Sequence, residues 1–204
     1  MSLIELRTIY LKLCNMKKLL AIIILSLCFI TPSQADDIRD FQIEDISIGD
    51  SLLDYYSEYE IKEGMNYPNQ YNSDEFKLAA FSSKNKTYDA IHFHVKKNDK
   101  KYKIYSISGQ IMMNLNSCLA KKKKVFADLK SLFKNTEKIE LGKRKHPGYK
   151  NSYAYQSYFK FNNGDLIEIA CYDYGKKLNE EFFDKFTISL DSYEFNKFLL
   201  TAYN

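Results

Sequence analysis

The chain has 204 residues, 30 basic and 26 acidic side chains and a formal net charge of +4, long enough to bury a real core once folded. The positive balance sits mainly at the front, where Arg7, Lys12, Lys17 and Lys18 face Glu5 alone, so residues 36–204 carry a net charge of only +1. That excludes the net-basic domain a nucleic-acid binder needs, and no nucleic-acid partner is expected.

Residues 16–37 have three zones. Lys17 and Lys18 follow Met16, an apolar run of twelve residues broken only by Ser26 covers Leu19–Ile30, and Pro32 precedes Ser33-Gln34-Ala35. This is the layout of a secretory signal peptide cleaved after Ala35. The run is shorter than the roughly 20 apolar residues a membrane helix needs. Leu27 before Cys28 does not fit a lipoprotein. Residues 1–35 are therefore expected to be a leader whose working start is Met16, and residues 36–204 a single exported α+β domain in the periplasm. If Met1 is the start, an uncleaved membrane anchor is the runner-up.

Charge along residues 36–204 is segregated. Residues 36–75 hold twelve acids and two bases, residues 76–150 nineteen bases and five acids, and residues 151–204 five bases and eight acids. The pattern fits an acidic front packed beside a basic middle; the sharper alternative is a basic face that meets an anionic envelope surface.

The predicted elements begin with a short extended stretch at Phe41-Gln42-Ile43. A helix opens at Gly49 with Asp50 as its N-cap, placing Leu52, Leu53, Tyr56 and Tyr59 on one side. Ser57-Glu58-Tyr59-Glu60 fits a capping box that starts a second short helix. Residues 64–73 are a loop by composition. Strands are predicted over 76–81, 88–96 and 101–113. In the second, Ile91, Phe93 and Val95 alternate with Ala90, His92 and His94. A four-residue turn, Lys97 to Lys100, would pair Val95 with Tyr102 and Phe93 with Ile104.

A helix over 117–135, capped by Asn116 or Ser117, carries Cys118, Val125, Leu129 and Leu132 as a stripe flanked by Phe126 and Phe133. Residues 140–151 read as an exposed loop. Residues 153–174 read as a hairpin whose three-residue turn, Asn162-Asn163-Gly164, sets Phe159 against Ile167 and Tyr155 against Cys171. A strand over 183–190 and a helix over 191–202 burying Phe195, Phe198, Leu199 and Ala202 complete the chain. The expected architecture is an antiparallel sheet of five or six strands, with the two longer helices on one face and short helices at the front.

The four cysteines reduce to two once the leader is removed, Cys118 and Cys171, both on apolar faces of their elements. In an oxidising compartment such a pair forms a disulfide, whose closed loop stabilises by about 4 kcal/mol in the chain-entropy model. The competing reading is a catalytic thiol beside a histidine. His92 and His94 share a strand face at a spacing able to hold zinc or copper, but a third ligand is required; His146 or acids would have to supply it, and two solvated histidines are the simpler reading. Lys121, Lys123 and Lys124, with Lys143, Arg144 and Lys145, are candidates for contact with an anionic surface or another envelope protein. Lys122 falls on the buried stripe and must extend out of it. Seventeen tyrosines, clustered at 149, 153, 155 and 158 and at 172 and 174, suit sugar or peptide binding as well as sheet packing. No phosphate loop, nucleophile elbow or HExxH motif is present, and no cofactor is expected.

Four pieces of sequence carry a resemblance: Asp40-Phe41-Gln42-Ile43-Glu44 with Ile48-Gly49-Asp50-Ser51-Leu52-Leu53-Asp54-Tyr55; Tyr105-Ser106-Ile107-Ser108-Gly109; Asn163-Gly164-Asp165; and Cys171-Tyr172-Asp173-Tyr174. Together they resemble a group of uncharacterised exported proteins of marine alphaproteobacteria, over most of residues 36–204. The resemblance implies a Gram-negative exporter and hence the periplasm, and implies no activity. A helix cysteine and a strand cysteine recur in that group, which fits the expected bridge. The functional expectation is a non-enzymatic binding or envelope-associated module; the alternative is an enzyme or metal-binding protein using the His92/His94 face.

Overall fold

The computed structural model describes residues 37–66, 74–146, 149–175 and 183–202. The chain divides into two units, residues 1–34 and 35–204, and every described residue belongs to the second. The expected leader and residues 67–73 of the expected loop lie outside the described residues.

Seven strands form one antiparallel sheet, where five or six were expected: β1 (Phe76–Phe81), β2 (Ala90–Lys96), β3 (Ile104–Met112), β4 (Glu137–Lys145), β5 (Tyr153–Lys160), β6 (Leu166–Asp173) and β7 (Lys185–Asp191). Their spatial order is β1-β2-β3-β7-β6-β5-β4. Two three-stranded meanders thus flank β7, the last strand in the chain. Among the described residues three helices accompany them, α1 (Glu58–Gly64), α2 (Leu115–Leu132) and α3 (Tyr193–Leu199), with two 3-10 turns at Ile38–Asp40 and Leu52–Asp54.

β4 is the strand that was read as a loop. Its nine residues, EKIELGKRK, are half-buried or exposed and mostly charged. Charge of that density is how an open sheet edge discourages pairing with a second chain, and it also hides the period-2 apolar signal. A bulge at Gly142, where φ is +63°, further breaks the alternation.

The hairpin between β5 and β6 has the expected register, Phe159 opposite Ile167 and Tyr155 opposite Cys171. Gly164 adopts φ +89° in its three-residue turn, the left-handed conformation that glycine takes without penalty. The hairpin between β2 and β3 does not: Val95 lies opposite Ile104 and Phe93 opposite Ile107, with a register shift at His94/Val95. Here the turn runs on past Lys100. The Asp99 carboxylate accepts the backbone N–H groups of Lys101 (2.9 Å) and Lys103 (3.0 Å). Ser51 then bridges to Lys103. These contacts hold 101–103 out of the ladder.

Alternation along the strands gives the sheet a closed face. Ile91, Phe93, Ile107, Phe159, Ile167, Ile169, Cys171 and Leu190 are fully buried there. α2 covers β6 and β7. It is capped by Asn114, which accepts the Ser117 N–H at 3.0 Å, so the helix starts earlier than expected. It buries Cys118 and Leu129, while Leu132, placed on the stripe by sequence, is 55% exposed at the frayed end. Cys118 is bonded to Cys171 of β6 with a Cα–Cα distance of 5.8 Å, stapling the helix to the sheet. Lys122 does not extend out of the stripe to solvent as expected: it reaches inward and donates to the buried Ser157 Oγ of β5 at 2.6 Å, and burial lowers its pKa.

Segment 37–66 covers the other half of the closed face. Tyr56 stacks on Phe81 with ring centroids 4.0 Å apart, and Ile38, Ile43, Leu52 and Ile61 are fully buried. Ser57 and Glu60 form the expected capping box at α1. Asp50 is not the cap of the preceding turn; Ser51 is, and Asp50 instead accepts from Ser47 N and Tyr55 OH. Leu53 and Tyr59 point outward, at 44% and 73% exposure, because a one-turn 3-10 element followed by a fresh helix breaks the continuous helical phase the spacing assumed. The acidic front does lie beside the basic middle: in the connection between β1 and β2, Lys84 donates its backbone N–H to Glu44 Oε2 at 3.1 Å, and its Nζ donates to Tyr55 O at 2.7 Å and sits 4.0 Å over the Tyr56 ring.

The second long-helix expectation is corrected. α3 is capped by Ser192 rather than Asp191 and lies on the opposite face from α2. Its Phe195 stacks on His94, 4.4 Å between centroids, and packs with Phe198, Ala202 and Phe76 in a separate small cluster. The apolar stripe of an amphipathic helix says that it docks, not which side of a sheet it docks on.

Candidate functional site

The other face of the sheet is not a plain solvated surface. α3 stands over one end, and aromatic side chains from β6 and the segment after β4 stand over the other. Between them lies a cleft of about 1110 Å³, of the size that holds small ligands.

Its floor follows from strand register. One row across the sheet runs Tyr158, Glu168, Ser189, Ser108, His92, from β5 to β2. The next runs Gln156, Ala170, Thr187, Gln110. Asp191, Ser106 and His94 lie beyond the first row, and Tyr172 with Lys185 beyond the second. Apart from Ala170, each of these is the polar alternate of a strand whose other residues build the closed core. Adjacent side chains on one face stand about 5 Å apart across strands, so the first row is a chain of possible hydrogen bonds, while Ala170 interrupts the second.

Lys185 opens β7 beside Tyr172 of β6. Its Nζ donates to Gln110 Oε1 at 3.0 Å and lies 5.6 Å from the Tyr174 ring centre. Because the Gln110 oxygen is taken by the ammonium, its Nε2–H faces His92 Nδ1 at 2.9 Å. His92 is therefore neutral there, and burial pushes its pKa down to about 4, with the Lys185 charge adding to the effect. Burial lowers Lys185 itself to about 8. Among the described residues no carboxylate forms an ion pair with it.

The opposite half of the floor is acidic. Glu168 accepts from Gln156 Nε2 at 2.7 Å and from Tyr158 OH at 3.4 Å. Burial, and then the nearby Asp191 charge, push it up to about 7. Asp191 accepts from Ser106 Oγ at 2.6 Å and Ser189 Oγ at 3.1 Å; burial pushes it up to about 6. Burial and the Glu168 charge likewise raise the Tyr158 hydroxyl. Between the charged halves, the Thr187 hydroxyl lines the cleft, buried and without a hydrogen-bond partner among the described residues.

One end wall is aromatic. His146 lies 4.8 Å from Tyr149 and 5.8 Å from Tyr172 between ring centroids, and Tyr172 stacks on Tyr174 at 6.1 Å. Burial, and then Lys185, lower the His146 pKa.

The two candidate metal ligands, His92 and His94, do share a face, as read from sequence. They part in environment: His92 is engaged by Gln110, whereas His94 is buried beneath Phe195, and burial followed by His92 lowers it to about 3. Among the described residues no group of three or more His, Cys, Asp or Glu could hold a metal ion. The cysteine pair is a disulfide, which leaves no thiol among the described residues for the catalytic reading. Of the basic candidates, Lys123 and Lys124 are exposed on α2, and Lys143, Arg144 and Lys145 on the edge strand β4. Lys121 lies 5.6 Å from the Phe186 ring and Lys143 3.9 Å from the Tyr153 ring, both spent on aromatic faces. Lys145 alone of the six reaches the cleft rim.

Gln110, Gln156, Glu168, Lys185, Thr187 and Asp191 were not singled out from sequence. Their only signal was the alternation within strands, such as Thr187 and Ser189 set between Phe186, Ile188 and Leu190. Among the described residues no helix is long and apolar enough to cross a membrane. Comparisons with protein-family models, curated proteins and solved structures find no match.

Proposed function

We propose that this is an exported, non-enzymatic binding domain whose ligand is a small polar molecule held in the cleft on the open face of the sheet. The carrying observation is the Thr187 hydroxyl, buried at the centre of that floor with no partner among the described residues. An unmade hydrogen bond of this kind costs roughly 1–3 kcal/mol, and a ligand group seated there removes the cost. The flanking polar rows and the aromatic end wall supply orientation and a stacking surface. Export is supported by the leader-like segment 16–35 and by a disulfide of the kind that persists in oxidising compartments, the periplasm in the present reading.

The test is NMR titration of residues 36–204 with a panel of small polar metabolites. Binders should shift Gln110, Gln156 and Thr187, and Ala154→Trp, which fills the cleft wall, should abolish the shifts while leaving thermal unfolding cooperative. A panel that shifts nothing, or shifts only α2 and β4, overturns the reading. Export is tested separately. Thiol titration of native protein under denaturing, non-reducing conditions should find no free sulfhydryl; two per molecule would sink it.

A second reading, catalysis in the same cleft, is favoured by Glu168, a carboxyl poised to titrate near neutrality beside Asp191. A bound compound recovered chemically altered by the wild type and unaltered by Glu168→Gln would favour it over simple binding.

A further inference from the structure

The cleft is polarised, and its polarity specifies a ligand class; this inference rests on the binding reading above. We propose that the ligand is an acidic sugar: a hydroxylated ring whose carboxylate meets Lys185, whose face lies on Tyr172 and Tyr174, and whose hydroxyls meet Thr187, Gln156 and Glu168.

Lys185 carries the anion. A cation held away from water without a counter-charge is costly, and cations so placed are normally paired. Around Lys185 the described groups are neutral or repulsive: the Gln110 carbonyl oxygen at 3.0 Å, the Tyr174 ring, and the His92 and His146 imidazoles. Gln110 is itself held by His92, so the ammonium is aimed by a fixed relay rather than free to swing into solvent. A carboxylate from the ligand completes the arrangement.

The aromatic wall accounts for a ring. Tyr172 is the cross-strand neighbour of Lys185, and it stacks with Tyr174 in near-parallel planes, 17° apart. An anion reaching Lys185 therefore lies beside this tyrosine pair, whose ring carbons pack against the C–H groups of a sugar as well as against an aromatic ring. The remaining floor separates these two options. Gln156 and Glu168 present planar amide and carboxyl groups joined at 2.7 Å, and Thr187 presents its hydroxyl between them and Lys185. Planar donor–acceptor groups match neighbouring hydroxyls on a ring, and a bare aromatic carboxylate offers them nothing. Tyr172 and Glu168 are four residues apart on β6, on the order of 13 Å along the strand. With both poles reaching inward, that span suits one or two sugar rings.

The test is calorimetric and NMR titration of residues 36–204 with glucuronate, galacturonate, glucose, glucosamine and benzoate, for wild type, Lys185→Met and Lys185→Arg. The acidic sugars should bind in the cleft at least about tenfold more tightly than glucose, glucosamine or benzoate. Lys185→Met should erase the acid preference and Lys185→Arg should retain it, each variant keeping the wild-type fold by its amide spectrum. Equal binding of glucose and glucuronate, tighter binding of glucosamine, benzoate matching the sugar acids, or a preference that survives Lys185→Met would each overturn the proposal. If none of the five binds while another panel compound shifts the cleft and is blocked by Ala154→Trp, the ligand class is wrong and the binding reading stands. If nothing binds the cleft at all, both fall.

Discussion

Strand β7 sends Phe186, Ile188 and Leu190 to one face of the sheet and Lys185, Thr187, Ser189 and Asp191 to the other. Both sets are largely shielded from bulk water, but by different means. The first is covered by α2 and segment 37–66 and packed to closure. The second is shielded only by the cleft walls, and it places ionisable groups and a hydroxyl in low-dielectric surroundings with incomplete pairing. The closed face thus stabilises the fold, whereas the open face lowers stability, which is the usual signature of groups retained for binding.

The largest expected effect tests the closed face. Phe159 is fully buried against Phe126 and Phe133, so Phe159→Ala should lower unfolding free energy by about 3–5 kcal/mol in urea titration. A loss below about 1 kcal/mol would show that this face is not packed as described.

On the open face the sign should reverse. Thr187→Val keeps the shape and removes the unpartnered hydroxyl, so stability should rise, by about 1 kcal/mol, while cleft binding weakens. Destabilisation instead would mean that the hydroxyl is satisfied in the ligand-free protein.

The acidic half of the cleft adds a pH dependence. Glu168 has its pKa raised from 4.5 to about 7, so the folded protein holds this proton more tightly than the unfolded chain does. Its contribution is favourable at low pH, relative to high pH, and is lost as pH rises through about 7. Glu168→Gln removes that titration. The stability of the variant relative to wild type should therefore increase from about pH 4.5 to pH 7.5, read as the difference in urea midpoints. A pH-independent difference would show that Glu168 ionises as freely in the fold as in the unfolded chain.

The smallest effect is expected outside both faces. Lys123→Gln and Lys124→Gln on the exposed side of α2 should change stability by no more than about 0.5 kcal/mol and leave cleft binding unaltered. Loss of binding in either would move the site to the basic helix.

How much of this was legible differs along the same line. Alternation in β2, β5, β6 and β7 marked the closed face residue by residue, and the two cysteines on that face announced their bridge. The same alternation marks Gln156, Thr187 and Glu168 only as polar alternates, because period-2 spacing states which side a residue faces and not whether that side is enclosed. Enclosure depends on α3 crossing to the far face and on β7 entering between β3 and β6, neither of which is a local property. β4 was invisible for the opposite reason: as an edge strand it is charged at positions that in an inner strand would be apolar.

The placement of β7 has a consequence for biogenesis. A chain emerging amino-terminus first completes both meanders before the strand that joins them has been synthesised. Until then β3 and β6 both present unpaired backbone edges, and the apolar undersides of two half-sheets lie open. Strand edges in that state invite pairing between molecules. The residues from β7 onward therefore act as a keystone, and truncation there should convert a folded domain into an aggregating pair of halves.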